Sequence, residues 1–421
     1  MEPVSRRRAA QRSDPCDVIV VGAGPAGGAA ALAMARVGLD VVVVERSLAP
    51  GQKNASGGLL SERTLAAVLD ETPSGAPVER RITEEQCWLL APQERVVISR
   101  DTPPGEPRGW SISRTRFDPW LASRAEAAGA RLLTGTIVER LLVEDGRVAG
   151  VATASEDLAA GVVIVCEGLG LGRGLLDHTR VRGLPLRPPL RSSEVFLAVS
   201  EVIRMAPRTI ESRFSCEAGA GAAIRCYGNA TPGLPGVFSL ITNAEAVIVG
   251  GGVLLSELVA ARRRPHELLE AFKSHPAVAP LLAGGETVEF SSRLIPVGRP
   301  DADAGIHGDD LLVCGDAALL PAAAFRDGCD LALESGRLAG ETVAGLLERG
   351  QPPTARHLRE YAMRVRRSRL LAHAASPLDG LLRSGTIPSG GDGAVLDRLQ
   401  AAGRGPRARL GELARSVRAL R

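Results

Sequence analysis

Apolar residues along the chain fall into short β-branched runs, each followed by an alanine- or leucine-rich stretch of helical spacing. Val18 to Val21 is a continuous apolar run, Gly22-Ala23-Gly24-Pro25-Ala26-Gly27 breaks it, and Gly28 to Val37 repeats alanine and leucine up to Gly38. That order predicts a buried strand, a tight turn and a helix. A second run, Val41 to Val44, predicts another strand, ending at Glu45. Residues 18–35 carry no charge, which meets the length of a membrane span. Four glycines, a proline and the split into a β-branched half and an alanine half make the segment a strand and a helix instead. Further along, Cys87 to Ser99 alternates like a strand pair, Arg114 to Ala128 reads as a helix with Arg116 and Asp118 in its first turn, and Arg131 to Val151 reads as a meander. Its turn, Glu144-Asp145-Gly146-Arg147, is a strong hairpin signal. Val162 to Val165 predicts a return to a parallel sheet, and Pro185 to Arg191 a crossover. Val195–Val202, Ala222–Gly228, Val237–Ile241 and Val247–Val249 then read as strands covered by a helix at Pro265–Ser274. Ser292 to Pro300 is expected to lead back to the first domain.

The first fifty residues hold a full dinucleotide fingerprint. Gly22 permits the tight turn, Gly24 lets the backbone approach a pyrophosphate, and Gly27 lets the helix pack against the strand, so that phosphate meets the unpaired N–H groups of the helix N-terminus. Glu45 is placed to accept hydrogen bonds from a ribose diol. The fingerprint alone does not separate FAD from NAD. A second signal does: Leu311 to Val313 runs into Cys314-Gly315-Asp316-Ala317-Ala318, and a helical stretch begins at Gly328 and continues through Leu333, Gly336 and Ala339. In flavoproteins with two dinucleotide-binding motifs, an Asp so placed binds the ribityl chain, and the following helix aims its positive end at the flavin pyrimidine edge. Neither Gly168-x-Gly170-x-Gly172-x-Gly174 nor Gly250-Gly251-Gly252 has the flanks of another fingerprint, so no dedicated NAD(P)H domain is expected.

The fold class expected is α/β: a Rossmann-type FAD-binding domain intertwined with a substrate domain built on an antiparallel sheet, whose inner face roofs the flavin, plus C-terminal helices. The divisions read as residues 15–190 for the first part of the cofactor domain, with a substrate-domain insertion near 85–112. Residues 191–295 form the substrate domain, 296–345 the second part of the cofactor domain, and 346–421 a helical, arginine-rich segment.

Composition narrows the function classes. The 421 residues are long enough for two or three domains, and a net charge of +3 is too small to make the whole surface a nucleic-acid trap. The basic character sits in the tail, where fourteen arginines and no lysine face five acids from Arg356 onward. Leu410, Leu413, Val417 and Leu420 form one stripe among arginines, a basic amphipathic helix that could contact a membrane or an acidic partner, or pack on its own chain. Seven scattered cysteines give neither a disulfide framework nor an iron–sulfur or zinc spacing, so no metal is expected. The leading Arg6-Arg7-Arg8 is followed by polar residues rather than a signal sequence, and a cytoplasmic location is expected.

With these residues in view, the chain from about 15 to about 345 resembles the FixC branch of the electron-transfer-flavoprotein:quinone oxidoreductase and geranylgeranyl reductase group of flavoproteins. The resemblance rests on the fingerprint, Gly315-Asp316, Gly51-x-Lys53-Asn54-x-Ser56-Gly57-Gly58, Arg114-x-x-Phe117-Asp118-x-Trp120-Leu121-Ala122, Glu211-x-Arg213-Phe214, Glu267-Leu268-Leu269-Glu270-x-Phe272-Lys273-x-His275-Pro276 and Gly284-Gly285-Glu286-Thr287-Val288-Glu289. It implies FAD contacts by Gly22, Gly24, Pro25, Ala26, Gly27, Glu45, Arg46, Lys53, Ser56, Gly57, Gly58, Arg114, Val138, Glu167, Gly168, Gly315, Asp316, Gly328 and Cys329. Four positions depart from the resemblance. Leu319 stands for a glycine and puts an isobutyl group where the backbone would pass close to cofactor or substrate, Asp327 stands for an arginine near the flavin, Cys166-Glu167 stands for Ala-Asp, and Ser200 stands for a lysine.

Flavin chemistry needs few catalytic side chains, and only two candidates emerge. Asp327 is the titratable group expected near the ring, and Tyr227, on a substrate-domain strand, could donate a hydrogen bond into the cavity. The histidines, His266 and His275 among them, read as surface residues. The expected activity is an FAD-dependent oxidoreductase, a FixC-like dehydrogenase passing electrons between an organic or carrier donor and a quinone or ferredoxin-like acceptor. The alternatives are a stand-alone monooxygenase or dehydrogenase of a small organic substrate and a non-catalytic FAD-binding partner subunit.

Overall fold

The β-branched runs at residues 18–21, 41–44 and 162–165 become strands buried on both faces, the environment of a central parallel strand. In the computed structural model of the chain, the residues described are 14–52, 57–69, 75–99, 109–169, 174–177, 179–186, 190–234, 236–297, 305–320 and 328–368. The order is β1 (Cys16–Val21), α1 (Pro25–Ala35), β2 (Val41–Val44), β3 (Gly57–Ser61), α2 (Glu62–Leu69), β4 (Val78–Leu90), β5 (Arg95–Ser99), β6 (Gly109–Ser113), α3 (Arg114–Ala127), β7 (Arg131–Leu133), β8 (Val138–Glu144), β9 (Arg147–Thr153) and β10 (Asp157–Val165). There follow β11 (Val195–Arg204), α4 (Pro207–Phe214), β12 (Ala220–Gly228), β13 (Gly236–Thr242), β14 (Ala246–Leu254), α5 (Leu255–Ala260), α6 (Pro265–Lys273), α7 (Ala279–Leu282), β15 (Glu286–Pro296), β16 (His307–Gly308), β17 (Leu311–Val313), α8 (Gly328–Glu348) and α9 (Ala355–Arg367).

The first sheet runs β16-β17-β10-β1-β2-β7, with β8 and β9 branching from β10. Its β17, β10, β1, β2 and β7 are parallel, so their C-terminal ends share one edge. The β8–β9 hairpin turns at Asp145 and Gly146, both with positive φ, as the sequence predicts. Helix α8 crosses α1 at backbone contact: a Cβ on Gly336 would lie 1.9 Å from the Ala26 carbonyl oxygen, and one on Gly340 2.7 Å from that of Ala30. This crossing fixes the middle of α8 against the first half of α1.

The second sheet runs β15-β11-β14-β13-β12-β4-β6-β3, with β5 on β4. Its pairings are antiparallel except at β12–β4, which is parallel. Helices α4 and α6 cover one face, where Phe238 stacks on Phe272 with ring centroids 4.7 Å apart in a core shared with Trp88, Leu240, Val249 and Leu268. The other face is concave. The sheet curls so far that a Cβ on Gly57 of β3 would lie 2.3 Å from Ile248 Cδ1 of β14, five strands away in the order.

Three elements differ from the sequence reading. Strand β14 does not stop at Val249 but continues through Gly250-Gly251-Gly252, whose missing side chains let β11 and β13 close around them. Residues 286–296 are an edge strand of the second sheet rather than only a return path. His275 is buried, not on the surface: its Nδ1 accepts from the Ala277 N–H at 3.1 Å, so Nε2 carries the proton and donates to the Ala91 carbonyl at 2.7 Å.

Candidate functional site

The C-terminal edge of the parallel sheet carries two glycine turns side by side. After β1 the chain turns at Gly22, with φ +101°, where a Cβ would stand 2.6 Å from the Cys166 carbonyl oxygen. Gly24 is the N-cap of α1 with extended backbone and no side-chain cap, and Pro25 opens the helix, so the first-turn N–H groups are left for an anion. A Cβ at Gly24 would meet only Arg114 Nη2, at 3.7 Å, whereas at Gly27 it would stand 1.8 Å from the Gly22 carbonyl oxygen. Gly24 therefore borders open space and Gly27 a packed contact. Glu45, at the end of β2, accepts from Ala23 N–H at 2.9 Å through Oε2 and from Ser47 N–H at 2.8 Å through Oε1. These bonds pin the carboxylate to the turn and leave each oxygen a second lone pair. Arg46 is exposed and Val138 half-buried at the start of β8.

The second turn follows β17. Gly315, with φ +63°, donates its N–H to Ser335 Oγ of α8 at 3.0 Å, and Asp316 lies in a single 3-10 turn beside it. Burial raises the Asp316 carboxyl above its ordinary value, and Arg293 and Arg114 pull it back down. Leu319 closes this turn with φ +54°, a left-handed conformation that costs an L residue about 1–2 kcal/mol. Its side chain is buried in the core of the first sheet. The expectation of an isobutyl group standing by the cofactor is thereby corrected.

Arg114 opens α3 and forms a fork with Asp118 one turn on: Nε to Oδ1 and Nη2 to Oδ2, both 2.7 Å. Such a bidentate pair fixes the guanidinium plane. Its Nη1 reaches Cys329 Sγ of α8 at 3.7 Å, and a Cβ at Gly58 would stand 2.9 Å from the same sulfur. Gly58, Arg114 and Cys329 thus come together from β3, α3 and α8. Burial raises the Cys329 thiol, while Arg114 opposes that. Asp330 anchors the start of α8 by accepting the Ser61 N–H at 3.0 Å. Glu167 Oε1 accepts from Leu175 N–H at 2.8 Å, and Gly168 follows with φ +72°.

The concave face of the second sheet completes the cleft. Strand registers place Ser291, Ser200, Gly250, Ser239, Arg225 and Cys87 in one cross-strand row, with Arg293, Ala198, Gly252 and Val237 in the next, while Tyr227 pairs with Leu89. The middle of both rows is small, and Ser200 Oγ meets Ser291 Oγ at 2.8 Å where a lysine was the expected family residue. Tyr227 is buried on β12, four strands from Arg293. Arg293 is the residue that sequence reasoning missed. It lies on a strand without motif, and only its alternation with Ser291 and Ile295 marks it. Burial and the neighbouring Arg114 charge lower its pKa, while Cys329, Asp316 and Asp118 oppose that. Lys53, Ser56, Asp327, His178 and the basic stripe of residues 410–420 lie outside the described residues. Among the described residues no cluster of His, Cys, Asp and Glu could hold a metal ion, and no helix is long and apolar enough to cross a membrane.

Known proteins match this layout. The family described as FAD dependent oxidoreductase matches residues 17–171. Protein FixC of Bradyrhizobium diazoefficiens is 38% identical over 351 residues, covering 82% of this chain and 79% of that protein. The probable electron transfer flavoprotein-quinone oxidoreductase YgcN of Escherichia coli is 37% identical over 348 residues, covering 80% and 79%. The chain belongs to the FixC family of FAD-dependent oxidoreductases. Among solved structures, a geranylgeranyl bacteriochlorophyll reductase-like protein of Thermoplasma acidophilum shares the fold across 98% of this chain and 100% of its own, with a TM-score of 0.71 at 19% identity. The myxobacterial chondrochloren halogenase CndH shares it across 97% of each chain, with a TM-score of 0.60 at 18% identity. The cofactor is FAD, and the uncapped α1 terminus, the glycine cradle and the pinned Glu45 carboxylate suit it.

Proposed function

We propose that this FAD-dependent oxidoreductase is an electron-relay dehydrogenase, taking electrons from a carrier flavoprotein or organic donor and delivering them to a quinone or ferredoxin-like acceptor. The observation that carries the reading is that the likeness to FixC and YgcN extends over about four-fifths of the chain, beyond the cofactor half and into the second sheet. FAD supplies the redox chemistry, accepting and releasing two electrons at its ring. The protein's part is to bind, orient and exclude water. The α1 N–H groups and Gly24 take the pyrophosphate, Glu45 the ribose diol and Asp316 the ribityl hydroxyls. Arg114, its plane fixed by Asp118, keeps a cation over the phosphate turn. Gly22, Pro25, Ala26, Gly27, Gly57, Gly58, Gly315, Gly328 and Cys329 let the backbone come close, Arg46 and Val138 flank the adenosine end, and Glu167-Gly168 close the cradle. Lys53 and Ser56 are assigned the flavin side on sequence alone. The small-residue rows of the concave face offer the donor its surface.

The test is anaerobic. FAD-loaded protein reduced with dithionite is mixed with a short-chain ubiquinone, with oxidised ferredoxin, or with air-saturated buffer. The relay reading expects reoxidation by quinone or ferredoxin within seconds and slow, uncoupled reaction with oxygen. Rapid reoxidation by oxygen alone contradicts it and points to oxygen activation on a small organic substrate.

A further inference from the structure

Resting on the reading that FAD fills this cleft, we propose that Arg293 is the cation that stabilises the negative charge of the reduced flavin, delivered from the second sheet rather than from the FAD-binding elements. Four observations converge. The register pairs Arg293 with Ala198 and puts it on the concave face, beside Ser291, whose hydroxyl meets Ser200. Its charged neighbours come from the opposite wall: Arg114 and Asp118 from α3, Asp316 from the turn after β17, and Cys329 from the first turn of α8. Arg114 is already committed to Asp118 through two bonds, whereas among the described residues no carboxylate forms an ion pair with Arg293. Finally, Cys329 marks the start of α8, the positive end of a 21-residue helix.

The charges do not balance by themselves. A guanidinium left half-buried next to a second guanidinium is unfavourable, and burial alone opposes its charge. Two-electron reduction of FAD brings a negative charge to the pyrimidine end of the ring. That charge relieves the Arg114–Arg293 repulsion and would be held both by Arg293 and by the α8 terminus. Arg293 is thus a positioning and electrostatic residue that favours reduced over oxidised FAD; it transfers no proton or electron.

The experiment is a spectroelectrochemical titration of the FAD-loaded full chain, comparing the native protein with Arg293→Gln and Arg293→Lys. Arg293→Gln is expected to lose at least tenfold in its preference for the reduced cofactor, which is a fall of about 30 mV for a two-electron couple. Arg293→Lys should keep most of the native value, because charge rather than shape is required. An unchanged potential in Arg293→Gln, or an equal fall in Arg293→Lys, overturns the proposal while leaving FAD binding intact. Failure of the native chain to hold FAD would instead remove the reading beneath it. Should Arg293→Gln release FAD, Arg293→His decides: its potential, measured against the native protein at each pH, must climb as pH falls from 8 to 6 and the imidazole charges, and a constant difference contradicts the claim.

Discussion

Two glycines of one turn are asked for opposite things. Gly24 faces open space apart from Arg114 Nη2, and its extended φ of −75° suits any residue, so Gly24→Val should leave the apoprotein folded yet block the phosphate approach. Gly27→Val, with its Cβ 1.8 Å from the Gly22 carbonyl oxygen, should fail to fold. Circular-dichroism melting beside the flavin absorbance separates the two. Leu319 gives a second test at this scale. Leu319→Ala should cost about 3 kcal/mol for the emptied core site. Ordinarily glycine would be worse, but the left-handed backbone returns about 1 kcal/mol to it. Leu319→Gly should therefore be no less stable than Leu319→Ala in urea melts; a clearly weaker glycine variant contradicts the strain. Positions at this scale were legible where the contacts are local: Gly22, Gly24 and Gly27 share the turn after β1, Glu45 ends the next strand, and Gly315 and Asp316 form the turn after β17. Leu319 misled because its identity shows but its φ does not.

Elements are joined by polar residues that periodicity does not mark. Arg80 of β4 is buried and donates from Nε to the Asn243 carbonyl at 2.7 Å, from Nη1 to the Ala220 carbonyl at 2.8 Å and Glu211 Oε1 at 3.0 Å, and from Nη2 to the Ala244 carbonyl at 3.0 Å. It staples β4, β12, α4 and the β13–β14 turn across the one parallel seam of the second sheet. Arg80→Met should cost about 3 kcal/mol, since it leaves three carbonyls and a carboxylate without their donor. Glu211 also accepts the Gly219 N–H at 3.0 Å, and these two bonds lower its pKa below the ordinary glutamate range. A carboxyl lowered in the folded state adds stability above its unfolded pKa of about 4.3 and loses it as pH falls through its folded value. Glu211→Gln should therefore flatten the acid limb of stability against pH, measured by urea melts from pH 7 to 3; an unaltered limb contradicts the assignment. The β-runs and their helices were readable because burial on both faces writes a continuous apolar run. The β12–β4 pairing was not, because strand partners far apart in sequence leave no trace in either strand's pattern.

At the scale of the whole molecule the cleft exists because a curled sheet closes on a parallel one. Ile248, in the middle of the second sheet, is where β3 comes to rest, so Ile248→Ala should cost about 3 kcal/mol and loosen Gly57-Gly58, which we propose lie on the flavin side. Stability and FAD retention should fall together, as followed by thermal melting and by the flavin released on gel filtration. Retention unchanged at lower stability would separate the curl from the cofactor. Arg293 belongs to this scale too, since it reaches the site only through the register of β15 on β11, and for that reason no motif announced it. The central claim, that the cleft holds one FAD and cycles two electrons through it, is tested most directly by anaerobic reductive titration of the purified, FAD-loaded chain. The account predicts one FAD per chain, released on denaturation and bleached completely by two electron equivalents. A chain that retains no FAD after reconstitution, or whose bound FAD is not reduced by the titrant, would contradict it.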